Sequence, residues 1–419
     1  MSQPTLEPVI SQHAEEAAFL WLLRDGAVHR PDYRLEELAR LDQRVEAHLD
    51  GLRVAGDAGW DLCKKAMEDG GAGEVFAAAV LALESGKADR IDFVFEHGCS
   101  KPAKARGLIS ALGWLPYERV KEHVVSLATS FRFPLRRVGL AAAAAHRQHP
   151  SFSLSSAFRA NDPLFKVRAL KAVGEFGATD VLTSLKHYLD ADDPRCSFWA
   201  AWSGVLVYGD STAQVALQDI AEGGGPFAER AAQLACRRLD LPLANRWRQR
   251  LAELRNLRCS IRVAGAVGDP EAVPFLIEQM RLPPLARIAG EAFALMTGVD
   301  IAYNDLAGQK PEGFEAVPND DPNDENVGMD PDDNLAWPDP ALVGKWWQGH
   351  QTGFTKGKRY LLGKPLGPEA IAEALRGGRQ RQRAAAALEL ALKNRGRPLF
   401  EVRAPGFRQQ EMLAQKAPA

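Results

Sequence analysis

Two matching segments near the middle of the chain constrain its fold more than any other feature. The first opens at Asp162-Pro163, runs through Val167-Arg168-Ala169 and Ala172-Val173-Gly174, and closes at Gly177. The second opens at Asp193-Pro194-Arg195, runs through Ala200, Ala201 and Gly204, and closes at Gly209. The opening pairs are 31 residues apart and the closing glycines 32 apart. Each residue type has a physical role. Asp caps a helix N-terminus, and Pro at the first helical position forfeits no hydrogen bond. Gly after the last turn adopts the left-handed cap. Leu182, Leu185 and Leu189, at helical spacing between the two segments, supply a second helix. One such hairpin cannot bury its apolar face alone, so the pattern predicts stacked units sharing a continuous core. An Arg in the first turn is expected to reach an Asp at the start of the adjacent unit.

Looser copies surround this pair. Arg262-Val263-Ala264-Gly265 leads to Gly268-Asp269, and Pro270 to Met280 fills the second-helix position. Arg287, Ala289, Gly290 and Ala292 lead to Gly298, and Lys104–Gly113 and Arg136–Ala145 have the same flavour. Asp162 to Gly298 resembles HEAT repeats of the short bacterial type. Ala, Leu, Arg and Glu dominate whole stretches, which favours helix over strand. The expected fold is all-α: a HEAT-like α-solenoid, a right-handed array of helical hairpins with helical caps. Its expected parts are an N-terminal cap (1–100), the array (101–300), an acidic linker (301–340) and a C-terminal helical region (341–419).

The ends carry a second set of motifs. His13–Gly56 reads HAEEAAFLWLLRDGAVHRPDYRLEELARLDQRVEAHLDGLRVAG and is followed by Gly73-Glu74-Val75-Phe76-Ala77. Towards the C-terminus come Trp346-Trp347, Arg359-Tyr360-Leu361-Leu362-Gly363-Lys364-Pro365, Gln380–Leu392, and Arg403-Ala404-Pro405-Gly406 with Gln409. Together these resemble a family of HEAT-like bacterial proteins encoded beside type VI secretion genes. The resemblance spans nearly the whole chain and is weakest in the acidic middle. It implies a secretion-associated accessory role and brings no catalytic residues with it. Read physically, Ala17, Leu20, Trp21 and Arg24, then Leu35, Leu38, Leu41, Val45 and Leu49, mark two amphipathic helices joined by a turn at His29-Arg30-Pro31-Asp32. Asp42 and Arg44 between them read as local helix solubility.

Bulk properties narrow the function. The 52 basic and 54 acidic side chains leave a net charge of -2, without the bias typical of a nucleic-acid or membrane binder. Five scattered cysteines (Cys63, Cys99, Cys196, Cys236, Cys259) form no C-x-x-C pair and read as buried thiols in a reducing compartment. The N-terminus lacks an export signal, which points to the cytoplasm. The longest apolar run, Cys196–Gly209, is too short for a membrane span and reads as a buried helix.

From Asn319 to Asn334 the chain carries seven acids (Asp320, Asp321, Asp324, Glu325, Asp330, Asp332, Asp333) and no base. This stretch reads as an exposed linker and fails the EF-hand template. Trp337, Trp346 and Trp347 read as anchors onto the array. Two basic clusters stand out, Arg237–Arg262 and Arg376–Arg408. Within them Arg246, Trp247, Arg248, Arg250, Arg255, Arg379, Arg381 and Arg383 are the candidate partner-binding residues. A DNA groove would need a basic face with aromatic side chains; the near-neutral total charge argues against it, as does the nearby acidic stretch, which is able to neutralise either cluster. His146 and His149 lack a completing metal ligand and mark a helix end, while the glycine runs at Gly70–Gly73 and Gly223–Gly225 lack a phosphate-loop Lys and read as turns. The expected function is therefore a non-enzymatic, cofactor-free scaffold for a protein partner: a secreted effector, its chaperone or a spike component. The alternatives are an immunity protein that neutralises a toxin, and a HEAT-like nucleic-acid or lyase-type enzyme.

Overall fold

A computed structural model describes residues 6–149, 152–315 and 329–415. It is all-α. Twenty-two α-helices account for nearly all of the regular structure among the described residues, with one two-stranded hairpin. The chain forms two compact units, one of residues 1–203 and 394–419, the other of residues 204–393. The division falls inside the stretch read as the array, and the last residues belong with the first.

In the first unit, the helices Glu7–Ala27 and Leu35–Ala55 flank the expected turn and pack on each other. Trp21 stacks on Phe76 with centroids 5.3 Å apart, and Trp114 meets Phe76 edge-on at 5.3 Å. Each such pair adds about 0.5–1.5 kcal/mol beyond area burial. Small residues let neighbouring helices approach closely. Gly107 on the helix Pro102–Trp114 lies so close to the backbone of Ala72 and Phe76 that a Cβ would collide. Asp162 caps the helix Pro163–Phe176, accepting from Phe165 N at 2.6 Å, and Gly177 ends it at φ +67°.

Two charge expectations are corrected here. Arg195 pairs with Asp193 in its own unit (2.7 Å), because the guanidinium folds back over the cap. Asp42 is fully buried and pairs with Arg24, not with its neighbour Arg44, which is exposed.

The C-terminal motif explains itself through that pair. Arg24 Nη2 donates to Ala404 O (2.8 Å), and Gly406 N donates to Asp42 Oδ2 (2.5 Å). A Cβ on Gly406 would lie 2.6 Å from Ala39 Cα, so glycine lets the start of the helix Gly406–Ala414 reach the helix Leu35–Ala55. Fully buried Gln409 closes the turn on Ala404 O (2.6 Å). The two terminal motifs are thus two halves of one contact.

In the second unit, the helices Leu257–Val267 and Pro283–Thr297 end at Gly268 and Gly298, both left-handed. The Arg359–Pro365 motif is a hairpin docked on these two ends. Tyr360 N donates to Gly268 O (2.8 Å) and Leu362 N to Leu295 O (2.8 Å). A Cβ at Gly298 would meet Leu362 O at 2.6 Å. Trp346 and Trp347 pack edge-on against Phe293 (5.7 and 6.4 Å), anchoring the helix Pro340–His350.

All five cysteines are buried free thiols. Burial pushes Cys63 up to about 12, and Cys99, Cys236 and Cys259 up to about 11. No helix among the described residues is long and apolar enough to cross a membrane. The run Cys196–Gly209 falls on the largely buried helix Pro194–Ser203, continued by a π-helical turn over Gly204–Tyr208.

Candidate partner-binding surface

The sequence-predicted basic residues separate by burial. Trp247 is buried and donates Nε1–H to Glu222 Oε1 (2.9 Å), while exposed Arg250 takes the other oxygen of that carboxylate (3.0 Å). Burial alone would raise the Glu222 carboxyl; Arg250 and Trp247 outweigh it and hold the group below its usual range. Arg248 lies over the Phe275 ring at 4.6 Å, and burial pushes its guanidinium down. Arg383 is fully buried, donating to Leu375 O (2.7 Å) and to Gln380 Oε1. It cannot meet a partner where it stands. Arg379 pairs with Asp300 (2.5 Å). Arg246 and Arg255 are exposed and make no ion pair among the described residues. Arg381 belongs to a larger construction.

That construction spans four helices of the second unit. Glu229 sits on Ala228–Arg237, Arg258 and Arg262 on Leu257–Val267, Arg287 and Glu291 on Pro283–Thr297, and Arg381 on Gln380–Lys393. Glu229 accepts from Arg258 Nε (2.9 Å) and Arg262 Nε (2.8 Å). Arg262 continues to Glu291, and Glu291 to Arg381 Nη1 (3.2 Å). Acids and guanidinium groups therefore alternate from helix to helix. Against the upward push of burial, Arg262 and Arg258 hold the Glu229 carboxyl low. A single exposed pair contributes about 0–1 kcal/mol. A connected row adds geometry, because the planar guanidinium groups of Arg258 and Arg381 are each oriented by one carboxylate, Glu229 and Glu291, while the other edge stays available.

The available edges are taken by the acidic segment. Arg258 grips Asp332 with both nitrogens, at 2.7 and 3.0 Å. Arg287 donates to Asp330 Oδ2 (2.5 Å) and Asp332 O (3.1 Å), and Arg381 donates to Pro331 O (2.6 Å). Arg287 also lies 4.6 Å from the Trp337 ring centroid. Asp332 is only 2% exposed. The expectation of an exposed linker is thus corrected for Asp330 and Asp332, whose carboxylates find arginines close enough to repay their desolvation, while Met329, Pro331, Asp333 and Asn334 are exposed as expected. Asp320, Asp321, Asp324 and Glu325 lie outside the described residues.

Sequence reasoning counted Arg258 and Arg262 within the first cluster and weighed the acidic stretch as able to neutralise it, but missed Glu229 and Glu291 as their partners and Arg287 as the partner of Asp330. A usable signal was present. Glu229, Arg258 and Arg287 recur 29 residues apart, as do Arg262 and Glu291. A charged row at the repeat period marks one face of successive helices.

Other sites offer less. A pocket of about 340 Å³ in the first unit is lined by Asp32, Tyr33, Glu37, Arg40, Leu41 and Arg44. Its lining is mostly charged, whereas small-molecule sites are mostly apolar. Among the described residues, no three His, Cys, Asp or Glu side chains converge as a metal set. No family model matches the chain, and no curated protein matches it.

Proposed function

We propose that this chain is a non-enzymatic protein-binding scaffold, and that the arginine row of its second unit receives an acidic segment of a protein partner. One observation supports this reading: Arg258, Arg287 and Arg381, on three different helices, converge on two carboxylates and two carbonyls of one short acidic turn. Planar guanidinium pairs of this kind supply orientation and partner discrimination as well as affinity. The resemblance to proteins encoded beside type VI secretion genes suggests the setting: a cytoplasmic adaptor or co-chaperone that holds an effector, or an effector with its chaperone, for loading onto a spike.

The test is affinity capture of the tagged chain from its native lysate, run beside an Arg258→Ala/Arg381→Ala variant of matched melting temperature. The reading expects an effector, a chaperone or a spike component with the parent chain, lost or strongly depleted with the variant. It also expects that deleting the gene abolishes delivery of that effector while others are still delivered. Equal recovery by both chains removes the arginine row from the account, and unchanged delivery sinks the adaptor role. If the captured protein is a toxin that kills only the deletion strain, the scaffold is an immunity protein.

A further inference from the structure

The turn at Asp330-Pro331-Asp332 is held like a ligand. Its shape is maintained from within: Asp332 N donates to Asp330 Oδ1 (2.9 Å), Asp333 N to Asp330 O (3.1 Å) and Leu335 N to Asp332 O (3.1 Å). Its outward acceptors are Asp330 Oδ2, Pro331 O, Asp332 O and both Asp332 carboxylate oxygens, and every one of them is met by an arginine. Met329, just before the turn, is 74% exposed. The chain is tied down separately and later. Gly308 N donates to Trp337 O (2.8 Å), Asp339 N donates to Leu306 O (2.8 Å), and Ala307 and Pro338 form a β-bridge. Ala336 packs on the core cluster that includes Phe293.

The receptor has its own scaffold. Glu229 orients Arg258 and Arg262, and Glu291 orients Arg262 and Arg381, so these guanidinium groups keep their partners if the turn leaves. Four arginines (258, 262, 287, 381) against Glu229 and Glu291 leave two positive charges in excess, and Asp330 with Asp332 supplies two negative ones. The vacated row is therefore complementary to a polypeptide turn carrying two carboxylates two residues apart.

We infer that the Asp330–Asp332 turn is an internal competitor: it occupies the arginine row of the free protein and is displaced by an Asp-Pro-Asp-type turn of the partner. This rests on the reading that the row binds acidic protein segments, and adds its regulation. A tethered occupant acts at a local concentration on the order of millimolar, so a bare turn displaces it only in excess of that concentration, and a partner at lower concentration needs contacts beyond the turn. The apparent affinity for a bare peptide falls by the fraction of protein whose row is open.

The probe is a fluorescein-labelled peptide of the chain's own residues 328–335, titrated against the full chain and followed by anisotropy. Its control carries Asn in place of both aspartates. We expect the Asp330→Asn/Asp332→Asn full chain to bind the acidic peptide at least about tenfold more tightly than the parent, the control peptide to bind neither, and 0.5 M salt to remove the binding. Equal binding to parent and variant overturns the internal competitor while leaving the acidic-segment reading standing. No binding to either, or equal binding of the control peptide, overturns both. Because the double variant removes buried pairs and can lose stability, a second measurement uses the parent protein. Amide hydrogen exchange over residues 329–335 should rise when the unlabelled peptide is added to saturation, and unchanged protection overturns the proposal.

Discussion

Lowering the pH should loosen the first unit, and His146 carries a share of that loss that can be worked from its surroundings. His146 follows the helix Phe133–Ala145, and its Nε2 lies 2.8 Å from Leu112 O. A carbonyl only accepts, so Nε2 carries the proton and Nδ1 carries the lone pair. That lone pair faces Arg408 Nη1 at 3.5 Å. Arg408 is fixed there by Gly113 O and Trp114 O (both 2.9 Å). A second proton on His146 would be buried and would point at a guanidinium. Burial, with Arg408 adding to it, lowers the imidazole from 6.5 to about 4. The sign follows: the folded state prefers the neutral ring, so its contribution is whole above pH 6.5 and is lost as pH falls towards 4. With those two values the loss reaches about 2 kcal/mol at pH 5 and about 3 kcal/mol at pH 4. For a unit of this size, 2 kcal/mol lowers the melting temperature by about 4–8 °C. The assay is differential scanning calorimetry at pH 7.5 and pH 5.0 on the parent chain and His146→Gln. The Glu175 carboxyl does not interfere in this window, because Arg168, Lys171 and Arg147, acting against burial, hold it at about 2, and the Asp42 carboxyl, which burial pushes up, is common to both chains and cancels in the comparison. The variant should lose about 4–8 °C less than the parent between the two pH values. An identical pH dependence in both chains would refute the assignment of tautomer and burial.

Three further outcomes follow from the packing. Asp42→Ala leaves Arg24 buried without its carboxylate and should cost about 3–5 kcal/mol in urea unfolding, whereas Arg24→Met/Asp42→Leu should recover most of that loss; equal losses would mean the pair is not the source. Gly406→Ala places a Cβ 2.6 Å from Ala39 Cα and should cost about 1–3 kcal/mol, read as faster proteolytic release of the helix Gly406–Ala414; an unchanged cleavage rate would contradict the close approach. The buried thiols, with Cys63 pushed up to about 12, should be silent to a disulfide reagent at pH 8 and all react in denaturant; rapid native labelling would show that a thiol is reachable.

The proposed surface shows where linear reading of charge stops. In the linear sequence each basic cluster holds few acids of its own, Asp240 and Glu253 in the first and Glu389 and Glu401 in the second. The carboxylates that answer Arg250, Arg258, Arg379 and Arg381 are Glu222, Glu229, Asp300, Glu291 and Asp332, most of them tens of residues away. The same holds for the acidic stretch, whose Asp330 and Asp332 are neutralised by arginines 43 and 74 residues earlier. Charge in a sequence window does not reveal which charges the fold brings together.

Helical identity was local information. The Asp caps, Pro at the first turn, closing glycines and apolar spacing depend on neighbours within one or two turns, and so the helices at 163–176, 257–267 and 283–297 were legible from the chain alone. The anchoring role of Trp346 and Trp347 was legible for the same reason, since large apolar rings beside a polar stretch need a core to enter. The meeting of residues far apart in sequence was not local. That Asp42 pairs with Arg24 and caps Gly406, that the Arg359–Pro365 hairpin closes two helix ends, and that Arg383 is interior all depend on which surfaces stack once the helices exist. Burial and pairing are properties of that stacking, because a charge is stabilised by what surrounds it in space, and only the tertiary structure decides its surroundings.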